Sequence, residues 1–320
     1  MKSQNDGFVF IEVLALGIFL SVVFSAAVYL IKVHQRNLIS FQNENIYRNE
    51  IELIVNAVFN DFLSDNTPEA VSYHDPVFRN ALDLKNGMSV SIECVSDRMN
   101  VNFIDASFVN SLKSEPGVSF QEAALRLKKI RQQRQFGKAE DFDSVFFTDI
   151  GFADINTVSP DSLNLLLDEY GCMNQSTLFL ERLKSYRKNE TCVRNFTDYK
   201  MFFGVSYEDV WPFIVWEPQI NVNCADVRLL EKLLDKRKCS EIVALRKTKE
   251  INPVMLSEIL GNRKKTYGEL LLGTTTSFFS IKIRNKCLLL SVIIGKVPSE
   301  NKSEEKNRFY ILEKKYEKEI

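Results

Sequence analysis

The chain has 320 residues and a mass of 36.9 kDa; 45% hydrophobic and 26% charged residues is the composition of a folded protein, which excludes wholesale disorder and a multispan membrane protein. Its 41 Lys+Arg balance 42 Asp+Glu, so a formal charge of -1 provides no global field to recruit nucleic acid or an anionic membrane. Two histidines (His34 and His74), six scattered cysteines and twelve glycines hold no Cys-x-x-Cys pair, His-Glu-x-x-His motif, phosphate loop or Gly-x-Ser-x-Gly elbow, so a non-enzymatic protein is expected.

Residues Phe8 to Ile31 read FVFIEVLALGIFLSVVFSAAVYLI, with Glu12 the only charge in 24 residues. At about 1.5 Å rise per residue, such a helix is long enough for a hydrocarbon core of about 30 Å, so one transmembrane helix is expected. A cleaved secretory signal needs an apolar core of only roughly 7 to 15 residues, which this run exceeds. A carboxylate four residues inside an apolar helix is costly without a partner and therefore marks function. Cutting the leader MKSQNDG after Gly7 would make the amine of Phe8 a cation, which a neighbouring subunit could offer to Glu12. Gly-Phe-x-x-x-Glu heading a hydrophobic helix resembles the class III signal of type IV pilins and type II secretion pseudopilins. Charge bias alone points the other way, because Lys32, His34 and Arg36 follow the helix while Lys2 is offset by Asp6. An external carboxyl-terminal body is thus implied by the signal and not by the charges.

From residue 32 to 62 the apolar residues Leu38, Phe41, Ile46, Ile51, Ile54, Val55, Val58 and Phe62 recur mostly at spacings of three to five, and no Gly or Pro intervenes. This predicts an amphipathic helix continuous with the membrane helix. Residues 63–87, rich in Asp, Asn, Pro and Gly, read as loop, and Met88 to Val95 alternates as a half-buried strand. Near the far end, SFFSIKI (277–283) and CLLLSVII (287–294) flank Arg284-Asn285-Lys286 and predict an antiparallel hairpin. Arg308 to Leu312 adds a further strand before a charged tail.

Residues 100–265 are helical in pattern and hold an internal echo. Asn102, Asn156 and Asn223 each follow a β-like step and open a helix-like stretch, with apolar residues at +7 and +10: Val109 and Leu112, Leu163 and Leu166, Leu230 and Leu233. Each Asn, or Ser159 and Asp226 three residues later, is placed to cap a helix whose leucines bury one face. Separations of 54 and 67 residues exclude a regular solenoid. Such units resemble helix-hairpin-helix or SAM-like modules. The glycine turns that present amides to phosphate are missing after Asn156 and Asn223, and the basic stretch 125–134 reads as a solvated helix face, so nucleic acid is not the expected partner.

The pilin-like start, the passages RMNVNFIDASFVNSL and WPFIVWEPQINVNCADVRLLEKLL, then Ala244-Leu-Arg246 and Thr276-Ser-Phe-Phe-Ser-Ile, resemble in this order the K-type minor pseudopilin of type II secretion (general secretion pathway protein K family), over nearly the whole chain. The resemblance implies an α+β fold: a long N-terminal transmembrane and amphipathic helix, and a pilin-type antiparallel sheet domain interrupted by a large inserted α-helical domain. The expected divisions are a leader (1–7), a membrane helix (8–31), a first pilin-like part (32–99), the insert (100–265), and a second pilin-like part with the tail (266–320). It further implies prepilin peptidase cleavage at Gly7, N-methylation of Phe8, and a subunit of the inner membrane with a periplasmic body. That subunit would prime a pseudopilus at its tip with other minor pseudopilins, the major pseudopilin and the inner-membrane assembly platform. Glu12 departs from the family, whose members commonly lack an acid there, and suits a minor pilin of a type IV pilus or DNA-uptake machine as the alternative. No cofactor is expected beyond calcium, for which Asp141, Asp143 and Asp149 are candidate donors, with solvated turns as their other reading. A periplasmic body would permit Cys172 to pair with Cys192 or Cys224 with Cys239, the spacing leaving connectivity open, while Cys94 and Cys287 lie in predicted strands and read as buried thiols.

Overall fold

Alternation along Ser89–Cys94 (β1) buries Val90, Ile92 and Cys94 and exposes the residues between, as a strand covered on one face requires. In the computed structural model this strand enters a four-stranded antiparallel sheet with Phe278–Asn285 (β8), Leu288–Val297 (β9) and Arg308–Lys318 (β10), in the order β1-β8-β9-β10. The structure describes residues 19, 21, 24–25, 28–38, 45–46, 48–58, 60, 71–75, 78, 89–114, 116–169, 176–189, 191–204, 207–210, 213–261, 265–285, 288–297 and 308–318. The chain divides into two compact units, Met1–Ile54 with Glu319–Ile320, and Val55–Lys318.

In the first unit residues 28–38 are helical and expose Tyr29, Leu30, Ile31 and Leu38. Ile51 of this unit is buried, as are Val55 and Val58 at the start of the second unit on the same helical stripe, whereas Leu38 and Ile46 of the predicted stripe are exposed. No helix among the described residues is long and apolar enough to cross a membrane. Most of the expected span, 8–18 included, lies outside the described residues, as does Phe62.

In the second unit the hairpin stands where the alternation placed it, with two boundary changes. Strand β8 runs to Asn285 and β9 begins at Leu288, so the connection is shorter than Arg284-Asn285-Lys286, and Cys287 lies outside the described residues. Strand β10 extends to Lys318, so most of the expected charged tail is strand, its backbone paired to β9. Buried Ile281, Ile283, Leu290, Val292 and Ile294 form the apolar face, and Lys282 pairs with Glu93 across strands on the other.

The helical body between β1 and β8 consists of three segments, each closed by a two-residue parallel bridge. Met99–Asn100 (β2) pairs with Phe147–Thr148 (β3), Ala153–Asp154 (β4) with Ile214–Val215 (β5), and Ile220–Asn221 (β6) with Leu272–Gly273 (β7). The first holds helices Ala106–Ser111 (α1) and Phe120–Gln132 (α2); the second, Pro160–Glu169 (α3), Ser176–Lys188 (α4), Phe196–Phe203 (α5) and Tyr207–Val210 (α6); the third, Val227–Leu233 (α7), Lys236–Leu245 (α8), Pro253–Leu260 (α9) and Tyr267–Leu270 (α10). All six leucine or valine positions of the internal echo are buried. The first and third segments share one apolar core, and the second builds its own around Leu163, Phe179, Tyr199 and Phe203, into which Phe103 of the first inserts.

Gly268 lets α10 approach the end of α7: a Cβ there would stand 2.6 Å from the Leu233 carbonyl oxygen, a backbone atom. Gly268→Ala should cost about 1–3 kcal/mol, the usual range for overpacking, read as a lowered urea midpoint with an unchanged slope.

Candidate functional site

Each segment opens on the same turn. Asn100, Asp154 and Asn221 are the last residues of β2, β4 and β6, and their Oδ1 atoms accept the amides of Asn102, Asn156 and Asn223 at 2.9, 3.0 and 2.9 Å. These are three equivalent Asx turns, in which a short side chain stands in for backbone. The next helix is capped three residues beyond the Asn: Asp105 accepts from Ser107 and Phe108, Ser159 from Ser162, and Asp226 from Arg228.

Asn102, Asn156 and Asn223 are therefore not helix caps, which corrects one of the two sequence-based alternatives. Their side chains reach forward to backbone that returns after the helices. Asn102 Oδ1 accepts from Gly137 N at 2.7 Å. Asn156 Oδ1 accepts from Val193 N at 2.8 Å while its Nδ2 donates to Val193 O at 3.0 Å. Asn223 does the same with Ile251 N and O, at 2.9 and 3.0 Å. An amide can hold donor and acceptor of one backbone unit at once, which a hydroxyl or carboxylate cannot match with the same geometry. Ser159 and Asp226 are the caps, as the other alternative has it.

A third recurrent contact comes from arginine. Arg131 donates to Ile104 O, Arg187 to Val158 O and Arg246 to Ala225 O, in each case the carbonyl two residues after the Asn. Burial draws the Arg131 and Arg187 guanidinium groups below their ordinary range, opposed by Asp105 among others. The three segments then meet at Tyr267, whose hydroxyl accepts from Asp105 N of the first at 3.2 Å and donates to Thr157 O of the second at 2.5 Å. Ser159 N also donates to Phe103 O, joining the first two directly. Neither the Asx residues nor the arginines are evident from spacing alone; the recurrence of Asn or Asp two residues before each Asn is the signal that marks them.

The remaining candidates separate. Asp143 and Asp149 spend carboxylate oxygens on the amides of Val145 and Ala139, and the Asp141 carbonyl accepts from Arg126. No group of three His, Cys, Asp or Glu arranged to hold a metal occurs among the described residues, so the structure does not bring the calcium candidates together. In the basic stretch Arg126 pairs with Glu122, Arg131 is used internally and Arg134 pairs with Asp168, while Lys128 and Lys129 face solvent. Cys224 and Cys239 are not bonded to one another, Cys192 is not bonded to either, and Cys172 lies outside the described residues. Of the pairings that the sequence left open, Cys224 with Cys239 is not the one the structure brings together: Cys224 packs against Cys94, their Sγ atoms 2.9 Å apart. Gly7, Phe8 and Glu12 also lie outside the described residues.

What this arrangement can do is hold three helical segments in fixed register on a sheet by polar contacts that need no ligand. Exposed apolar side chains on the helical body include Leu125, Met201, Phe213 and Val254, the last in a groove with Pro253, Ser257, Glu258 and Gly261.

No protein-family model matches the sequence, and no curated protein matches it. A solved structure described as the GspK-GspI-GspJ complex of the enterotoxigenic Escherichia coli type 2 secretion system is similar over 90% of this chain and 99% of the matched chain, at 13% identity and a TM-score of 0.40.

Proposed function

We propose that the chain is a non-enzymatic subunit of a pilin-type filament: a membrane-stored helix bearing an external body of sheet and helices. Within that class it is a K-type minor pseudopilin of type II secretion, cut after Gly7, N-methylated at Phe8 and placed at the pseudopilus tip. The observation that carries the reading is Gly7-Phe8 with Glu12 at the head of the apolar run 8–31. Strand β1 standing apart from β8, β9 and β10 in sequence, with a helical insert between, supports it. The body would lie in the periplasm, contacting other minor pseudopilins and the major pseudopilin, after delivery through prepilin peptidase and the inner-membrane assembly platform. Glu12 would neutralise the new Phe8 amine of an adjoining subunit as helices leave the lipid. An acid at this position also favours a second reading, a minor pilin of a type IV pilus or DNA-uptake machine.

Intact mass of membrane-extracted protein tests the proposal. The expected species lacks the seven leader residues and carries a methyl group, and Gly7→Arg leaves the leader in place. Retention of the leader beside an active prepilin peptidase overturns the reading. Co-purification then separates the two filaments, with secretion pseudopilins expected and pilus retraction components favouring the second.

A further inference from the structure

We infer that Cys94 and Cys224 form a disulfide that rivets the sheet to the third helical segment. Cys94 ends β1 on its buried face, and Cys224 follows Asn223 in the turn after β6; they are 2% and 8% exposed. They are 130 residues apart in sequence, yet their Sγ atoms stand 2.9 Å from one another, closer than two sulfurs pack by contact alone. A bond of about 2.05 Å is reached by a small rotation of either side chain. The turn does not itself require cysteine, because the equivalent positions in the other two segments are Phe103 and Thr157.

The surroundings show what the bond would hold. Residues 71–75 lie along the third segment: Val71 N donates to Thr274 O, Asn221 Nδ2 to Val71 O and Thr276 Oγ1, and His74 Nε2 to Arg246 O. Cys224 Sγ is within 3.9 Å of Val71 O. The pair therefore sits where the chain leaves the sheet after β1 and re-enters it through β7 and β8. A cystine there closes a loop containing the first two segments and fixes both sides of that neck.

Formation removes two protons and two electrons from the thiols. The oxidant is a small-molecule or protein disulfide: one thiolate attacks it and expels a thiol, and the second cysteine displaces the other from the mixed disulfide. Burial of both sulfurs places this step during folding, before the neck closes.

The inference rests on the packing of the two thiols and is independent of the filament reading. The full chain in detergent, reduced and denatured, is refolded in a glutathione redox buffer, alkylated, and digested without reductant for mass spectrometry. A peptide joining Cys94 to Cys224, with Cys192 and Cys239 alkylated, is expected. Recovery of Cys94 and Cys224 both alkylated, or joined to other cysteines, overturns it. In thermal unfolding, reductant should lower the midpoint of the wild type and of Cys239→Ala by about 5–10 °C and leave that of Cys224→Ala unmoved. An equal response in all three, or none in the wild type, is contrary to the inference; should Cys224→Ala not fold, the peptide map decides.

Discussion

Asp154→Asn should leave stability nearly unchanged at pH 4 and raise it by about 4 kcal/mol at pH 8. Burial pushes the Asp154 carboxyl from 3.8 up to about 7, against the lowering effect of bonds from Asn156 and Thr157 and of Arg187 nearby. Below about pH 4 the carboxyl is protonated whether the chain is folded or not. Between about 4 and 7 the unfolded chain releases the proton while the folded chain keeps it, so the folded state binds more protons and stability falls as pH rises. Above 7 the loss is complete. Asparagine is the residue already present at the equivalent turns, as Asn100 and Asn221, so its Oδ1 can accept the Asn156 amide as theirs accept those of Asn102 and Asn223. The Thr157 hydroxyl, which now donates to Asp154 Oδ2, would turn to accept from the new amide. Urea midpoints from pH 4 to 8.5 check this: both profiles fall, because burial also raises the Asp97 carboxyl to about 6, but the wild type falls further, so a gap opening between about pH 4 and 7 is expected and parallel profiles would exclude a proton held in the native turn.

Among Asn102, Asn156 and Asn223, whose side chains strap each turn to the backbone that returns after the helices, Asn223→Ala has the largest expected cost, about 4 kcal/mol. Asn223 and Ile251 are both buried, and truncation strands one donor and one acceptor of the Ile251 backbone at about 1–3 kcal/mol each, in addition to a small cavity. Asn102→Ala should cost about 1–2 kcal/mol, because only the Gly137 amide loses a partner and Asn102 itself is half-buried. The ratio is the diagnostic: caps would give similar losses at both positions, straps a loss graded by burial. Chemical denaturation of the two variants, at a pH where Asp154 is protonated in the folded state, measures it. An Asn223→Ala variant within about 1 kcal/mol of wild type would count against the strap.

These residues also show how far the sequence could be read. The helix starts were legible because capping is local: Ser159 and Asp226 lie three residues from each Asn, and the chain needs nothing distant to make the contact. The straps were not, because their partners Gly137, Val193 and Ile251 follow at 35, 37 and 28 residues, distances set by helix lengths that differ among the segments. The same unevenness hides the arginines. The strands of the hairpin were legible from alternation, although β10 was cut short at Leu312, since lysines and glutamates on an exposed face look like a tail until a partner strand satisfies their backbone. Cysteine pairing stayed open for a related reason: Cys224 lies closer in sequence to Cys239, but the sheet brings β1, and with it Cys94, to the third segment.

The parallel bridges have a topological consequence. Since each segment begins and ends at paired residues, its two ends leave from one place, and the whole run from Val95 to Ser277 emerges and returns between partners Cys94 and Phe279 of adjoining antiparallel strands. To the sheet, the helical body is the loop of a hairpin. Its length is thus decoupled from the register of β1 on β8, and segments of this kind can be gained, lost or exchanged in descent while the sheet beneath them keeps its hydrogen bonds.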